Sequence, residues 1–105
     1  MNGCRENKPA KSILHIDNIG TKTWRNSKGE LHKIDGPAIE YPHGTYFWYL
    51  NGNLHRIGGP AVVFSNGTHV WAIDDVRFLK KEEYWEALSE EEKIDCLFSN
   101  DFWKF

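Results

Sequence analysis

The residues of this chain best suited to acid–base or metal chemistry are its five histidines, His15, His32, His43, His55 and His69. An imidazole changes charge near neutral pH and offers a nitrogen to a metal. A structural zinc site needs about four clustered ligands, and neither a C-x-x-C nor an H-E-x-x-H spacing occurs. His32 and His55 stand at equivalent points of a sequence repeat, so one structural role per unit accounts for both. An enzyme built on them would instead lose activity, and keep its stability, when either is replaced alone. Nucleophilic catalysis needs a Ser, Cys or Thr beside a base that a third group orients. The sequence singles out none. Cys96 lies between Asp95 and Leu97 in an apolar helical stretch, where burial makes a thiol inert. The glycines end hairpins and do not open helices, so no phosphate-cradling loop is expected. We expect no catalytic residues, no metal and no cofactor, and a protein that binds.

The elements that carry these residues follow from an internal repeat. Gly29 to Tyr41 aligns with Gly52 to Phe64 position by position, at an offset of 23 that takes Leu31 to Leu54 and Gly36 to Gly59. The offset continues from Gly44-Thr45 to Gly67-Thr68 and from Trp48 to Trp71, and Gly20-Thr21 with Trp24 begins the unit before, which carries one extra residue near Ser27-Lys28. Asn51-Gly52 and Asn66-Gly67 supply the positive φ angles of tight hairpin turns, with Lys28-Gly29 and His43-Gly44 in the corresponding places. Gly36-Pro37 and Gly59-Pro60 separate strands, because proline cannot donate to a ladder.

Strands are expected at 12–17, 21–26, 30–34, 38–41, 45–50, 53–57, 61–65, 68–73 and 76–78, joined as an antiparallel meander. Two-residue turns would set Ile39 opposite Trp48, Tyr41 opposite Tyr46 and Val62 opposite Trp71. Trp24, Trp48 and Trp71 would then form the core face with Ile39 and Val62. Thr23, Arg25, Glu40, Phe47, Tyr49, Val63 and Val70 would form the opposite, partner-facing side. After Phe78 the spacing becomes helical, with Tyr84, Trp85 and Leu88 on one stripe and Ile94, Leu97 and Phe98 on another. A Ser89-x-x-Glu92 capping box splits this tail. The fold class is mainly β with an α cap, an antiparallel meander of repeated β-hairpins followed by one or two short C-terminal helices. It reads as a single domain, 1–105, with a flexible N-terminal segment at 1–11, hairpin repeats at 12–78 and a helical cap at 79–105.

A chain of 105 residues with 40% hydrophobic and 27% charged residues can bury one core without disulfide or metal staples. Five Trp, four Tyr and six Phe make it rich in aromatics, which suit strands and contact surfaces. A net charge of −2 gives no basic field for phosphate backbones and disfavours a nucleic-acid partner, although aromatics interleaved with Arg25, Lys33 and Arg56 could stack bases. Cys4 and Cys96 form no spacing motif, and neither a secretory leader nor a run of about 18 apolar residues occurs. The simplest location is cytoplasmic, away from membranes.

The segment from Trp48 through Asn51-Gly52, Leu54-His55-Arg56 and Gly59-Pro60-Ala61 resembles the W-Y-x-N-G-x-L-H-R-x-x-G-P-A unit of hairpin-repeat proteins common among tailed bacteriophages, which are similar to MORN-type repeats. The resemblance covers roughly residues 20–88. It departs from the pattern at Gly58, where an acidic residue is usual, at Asp75 in place of the turn glycine, and at the Ser27-Lys28 insertion. It implies a repeat scaffold and a small accessory protein that binds and disables a host protein, defence systems included, by steric occlusion. The expected partner-binding residues are Arg25, Phe47, Tyr49 and Arg56 on the sheet, since aromatic and arginine anchors dominate interfaces. Glu86 joins them from an acidic cluster with Glu82, Glu83 and Glu90 to Glu92 that could meet a basic patch or serve as a solvated face. A homo-oligomer through an open sheet edge is a further possibility. The alternative function is a small-ligand module for carbohydrate or nucleotide.

Overall fold

Short apolar runs joined by tight turns pair antiparallel, mostly with their neighbours, and the result is a meander interrupted by a separate hairpin. The computed structural model describes residues 12–105; Cys4 and the N-terminal segment lie outside them. The strands are β1 (Ile13–Ile16), β2 (Lys22–Arg25), β3 (Ile39–Glu40), β4 (Tyr46–Phe47), β5 (Tyr49–Leu50), β6 (Asn53–Leu54), β7 (Val62–Val63), β8 (His69–Ile73) and β9 (Val76–Phe78). The helices α1 (Lys81–Ala87), α2 (Glu90–Leu97) and α3 (Asn100–Lys104) follow. One sheet has seven strands in the order β1-β2-β3-β4-β7-β8-β9, in which β4 meets β7 past β5-β6, and β5-β6 stands apart as a two-stranded ribbon. The expected strand at 30–34 shrinks to one bridge, Leu31 to Arg25, and the expected run 45–50 breaks at Trp48.

The register departs from the sequence expectation by one residue. Ile39 faces Phe47 rather than Trp48, Glu40 faces Tyr46, and Val62 faces Val70 rather than Trp71. The cause is turn length. Tyr41 N–H bonds Thr45 C=O at 3.0 Å and Phe64 N–H bonds Thr68 C=O at 2.8 Å, which closes three-residue loops whose last residues, Gly44 and Gly67, sit at φ +100° and +92°. This is the type I turn with a glycine bulge, whereas Asn51-Gly52 at φ 49° and 84° forms the two-residue type I′ turn. A three-residue loop also absorbs the Ser27-Lys28 insertion, since Asn26 N–H bonds Glu30 C=O. Asp74-Asp75 forms the same turn as Asn51-Gly52, at φ 46° and 69°, and the Asp75 carboxylate accepts Leu54 N–H at 2.7 Å.

Because side chains alternate, a one-residue slip redistributes the faces. Thr23, Ile39, Phe47, Val62 and Val70 form one row across the sheet, so Ile39 and Val62 lie with Phe47 and not with the tryptophans. Glu40 and Val63 move to the tryptophan side, in the row Lys22, Glu40, Tyr46, Val63 and His69.

The core has two parts. Leu54, Ala61, Val62 and Ala72 are buried together with Phe47, Trp48, Tyr49 and Val70 packed around them. Trp71, Tyr84, Leu88, Cys96 and Phe102 form the second cluster, where α1 covers β8 and β9. The cap has three helices, one more than the sequence spacing suggests. The capping box at Ser89 and Glu92 starts α2 with both reciprocal bonds in place. Tyr84 and Leu88 turn inward as expected, but Ile94, Leu97 and Phe98 are exposed and Cys96 is the buried residue of α2.

Candidate functional site

The repeat is held together by the same bonds in each unit. His32 Nδ1 accepts Asn51 N–H at 2.9 Å and His55 Nδ1 accepts Asp74 N–H at 3.1 Å. Gly52 N–H bonds Leu31 C=O and Asp75 N–H bonds Leu54 C=O; Lys33 N–H bonds Tyr49 C=O and Arg56 N–H bonds Ala72 C=O. Each histidine therefore receives the turn of the next unit. Accepting at Nδ1 fixes the proton on Nε2, and in buried His32 that Nε2 has no partner among the described residues.

Beside each histidine, a cation lies over the unit's tryptophan. Lys33 Nζ is 3.8 Å from the Trp24 ring centre and the Arg56 guanidinium is 3.9 Å from that of Trp48. A cation over an indole is attracted by the ring quadrupole, by about 0.5–2 kcal/mol. The glycine before each proline leaves the space, since a Cβ on Gly59 would come within 2.6 Å of the guanidinium and one on Gly36 within 3.2 Å of the Lys33 ammonium. The third tryptophan, Trp71, has no such residue from a further repeat. Lys81 of α1 stands in, 5.7 Å from Trp71 and 4.3 Å from Phe102, and donates to Phe105 C=O.

The second unit's loop, Arg56 to Pro60, is closed by the cap. Tyr84 Oη donates to Arg56 C=O at 2.8 Å and accepts Gly58 N–H at 3.1 Å, while Ser99 Oγ donates to Gly58 C=O at 2.6 Å. Arg56 pairs with Asp101, and this guanidinium hydrogen bond holds the Asp101 carboxyl below its ordinary range. Gly58 replaces the acidic residue of the repeat pattern because its φ is +97° and a Cβ there would lie 3.2 Å from Ser99. Burial pushes the Tyr84 phenol and the Cys96 thiol up, so both stay protonated and neutral.

Among the described residues, the first unit's loop, Lys33 to Pro37, meets no such cap. Ile34 and Asp35 are exposed where Ile57 and Gly58 are covered. Between this loop and the next unit lies a cleft of about 350 Å³ bounded by Lys33, Ile34, Asp35, Gly36, Trp48, Leu50, His55, Arg56 and Ile57.

On the face turned away from the helices, Phe47 gathers three rings: Tyr41 at 6.0 Å, Tyr49 at 6.4 Å and Phe64 at 6.3 Å between centres. Arg25 shares this face by strand alternation and is exposed, its guanidinium donating to Gly29 C=O at 2.9 Å. Of the sequence-expected contact residues, Phe47 and Tyr49 are thus brought together, and Arg25 shares their face two strands away. Arg56 is not among them: its side chain is 14% exposed and is spent inside the molecule on Trp48, Pro60 and Asp101. Glu86 is exposed on α1, beside a shallow groove of Lys81, Glu82, Trp85 and Phe102. Tyr41 and Phe64 belong to the aromatic row and were not anticipated. The i, i+2 alternation from Ile39 and Val62 points to them once the register is known.

At the edge of the large sheet β1 exposes all four residues, Ile13 to Ile16. Among the described residues, no three His, Cys, Asp or Glu side chains converge on a metal-sized site, and no helix is long and apolar enough to cross a membrane. In comparisons with known proteins, no family model, no curated protein and no solved structure matches this chain.

Proposed function

We propose that this protein is a small binding protein, acting in the cytoplasm of a bacterial host on behalf of a bacteriophage, that disables a host protein by covering a working surface. It acts by occlusion and not by catalysis. The observation that carries this reading is the aromatic row of Tyr41, Phe47, Tyr49 and Phe64, with Arg25 two strands away on the same sheet face, opposite the helical cap. Rings of this kind, held rigid by a packed sheet and flanked by arginine, are the side chains that supply most interface energy. The row is half-buried at its centre and exposed at Phe64, which leaves area for a partner to take from water.

The test is affinity capture from bacterial host lysate with the wild-type chain and with a Tyr49→Ser, Arg25→Glu variant shown by circular dichroism to be folded. A partner that the wild type retains and the variant loses supports the reading. Equal capture by both removes this face.

A further inference from the structure

We infer that the cleft between the first unit's Lys33–Gly36 loop and Trp48 is a socket for a tyrosine side chain of a partner polypeptide. This rests on the protein-binding reading and adds to it a site and a chemistry.

The argument is the repeat itself. Carried forward by 23 residues, Lys33, Ile34, Asp35, Trp48, Leu50 and His55 become Arg56, Ile57, Gly58, Trp71, Ile73 and Phe78. Those are the residues around Tyr84. Its ring lies 4.7 Å from Trp71 and 6.1 Å from Phe78, Ile57 and Ile73 pack on the same cluster, and its hydroxyl bridges Arg56 and Gly58. The chain thus displays in its second unit what this geometry holds when it is filled: a phenol lying against an indole, with its hydroxyl donating to the carbonyl of the cationic residue.

The first unit presents these six positions without a tyrosine among the described residues; Arg56 and Ile57 of the second unit also line its cleft, with the Arg56 guanidinium over the Trp48 ring, so an incoming phenol would meet the part of the indole that the guanidinium leaves open. Lys33 C=O, the counterpart of the carbonyl that Tyr84 uses, has no hydrogen-bond donor among them. Charge narrows the occupant further. In the second unit the cation receives Asp101 from α3 while Tyr84 comes from α1, whereas Lys33 has no carboxylate partner within the described residues. A partner surface that offers a tyrosine together with a nearby carboxylate therefore satisfies ring, hydroxyl and ammonium together. The loop backbones of the two sockets also differ: Gly58 sits at φ +97°, while Asp35 is not in the left-handed region. The hydroxyl's bond to the residue-33 carbonyl is accordingly the retained one, and the donor at residue 35 is aligned only when that residue can turn as glycine does.

The test uses the full ¹⁵N-labelled chain titrated with N-acetyl-tyrosinamide, N-acetyl-phenylalaninamide and AMP. Saturable shifts at the Trp48 indole and the Lys33–Gly36 amides are expected with the tyrosine amide. Binding of the phenylalanine amide should be about fivefold weaker, the weight of one neutral hydrogen bond. Asp35→Gly should tighten the tyrosine amide by about the same factor and add a shift at the residue-35 amide. No saturable shift at these positions, equal affinity for the two amides, a response to AMP alone, or no tightening by Asp35→Gly would each overturn the socket. If the socket fails while capture still depends on Tyr49 and Arg25, the protein-binding reading stands without it.

Discussion

Tyr84 and Gly58, 26 residues apart, share a buried hydrogen bond of 3.1 Å that joins the helical cap to the second repeat loop. The same hydroxyl donates to Arg56 C=O, so one phenol satisfies two backbone groups. Removing it leaves both without a partner in a site closed to water. Tyr84→Phe, which keeps the ring, is expected to cost about 1–3 kcal/mol. Urea denaturation checks this, and the melting temperature should fall by roughly 4–8 °C for each kcal/mol lost in a domain of this size.

Gly58→Asp would restore the acidic residue of the repeat pattern and should nonetheless destabilise. The backbone is left-handed at this point, and a side chain would press on Ser99. A loss of about 1–3 kcal/mol is expected, with loosening of α3 visible in fluorescence as greater solvent exposure of buried Trp71, against which Phe102 packs. The mirror change, Asp35→Gly, should cost under about 1 kcal/mol, because residue 35 is exposed and carries no cap.

Arg56 lowers the pKa of Asp101 in the folded state relative to the unfolded chain. Its stabilisation is therefore complete above the ordinary carboxylate range and disappears as pH falls through the folded-state value. Asp101 is partly exposed, so the pair is worth about 1 kcal/mol at neutral pH. Asp101→Asn should be less stable than wild type at pH 7, with the difference shrinking from about pH 4 downward. Denaturation curves at a series of pH values measure this.

His32 and His55 do the same job at different depths. His32 is 2% exposed and closes the junction beneath Asn51, whereas the His55 side chain is 15% exposed and serves an exposed turn at Asp74. His32→Ala removes a buried ring and orphans an amide, at about 2–4 kcal/mol. His55→Ala should cost only about 1 kcal/mol, since water can replace it. Chemical denaturation of the two variants distinguishes them.

Much of this fold is legible in the residues. The offset of 23, the glycine turns and the switch to helical spacing after Phe78 dictate a meander and its cap, and Ser89 with Glu92 marks the start of α2. The register is less accessible, because Asn51-Gly52 and Asn66-Gly67 carry the same dipeptide but close two-residue and three-residue loops. The residue that follows separates them: Gly-Thr at 20–21, 44–45 and 67–68 closes the three-residue form, while Gly52 is followed by Asn53. Arg56 reads as a surface anchor because its acidic partner lies 45 residues away on α3, beyond any local pattern. In α2, eight residues form barely two turns, so periodicity could not tell Cys96 from the Ile94 and Leu97 beside it.

The central claim is an asymmetry between equivalent loops, one closed by the helical cap and the other open among the described residues. Amide hydrogen exchange on the free full-length chain tests it most directly. Gly58 N–H should exchange slowly, at a rate set by cap opening, and Asp35 N–H should exchange near the unprotected rate. Equal protection at the two positions, or fast exchange at Gly58, would contradict the account.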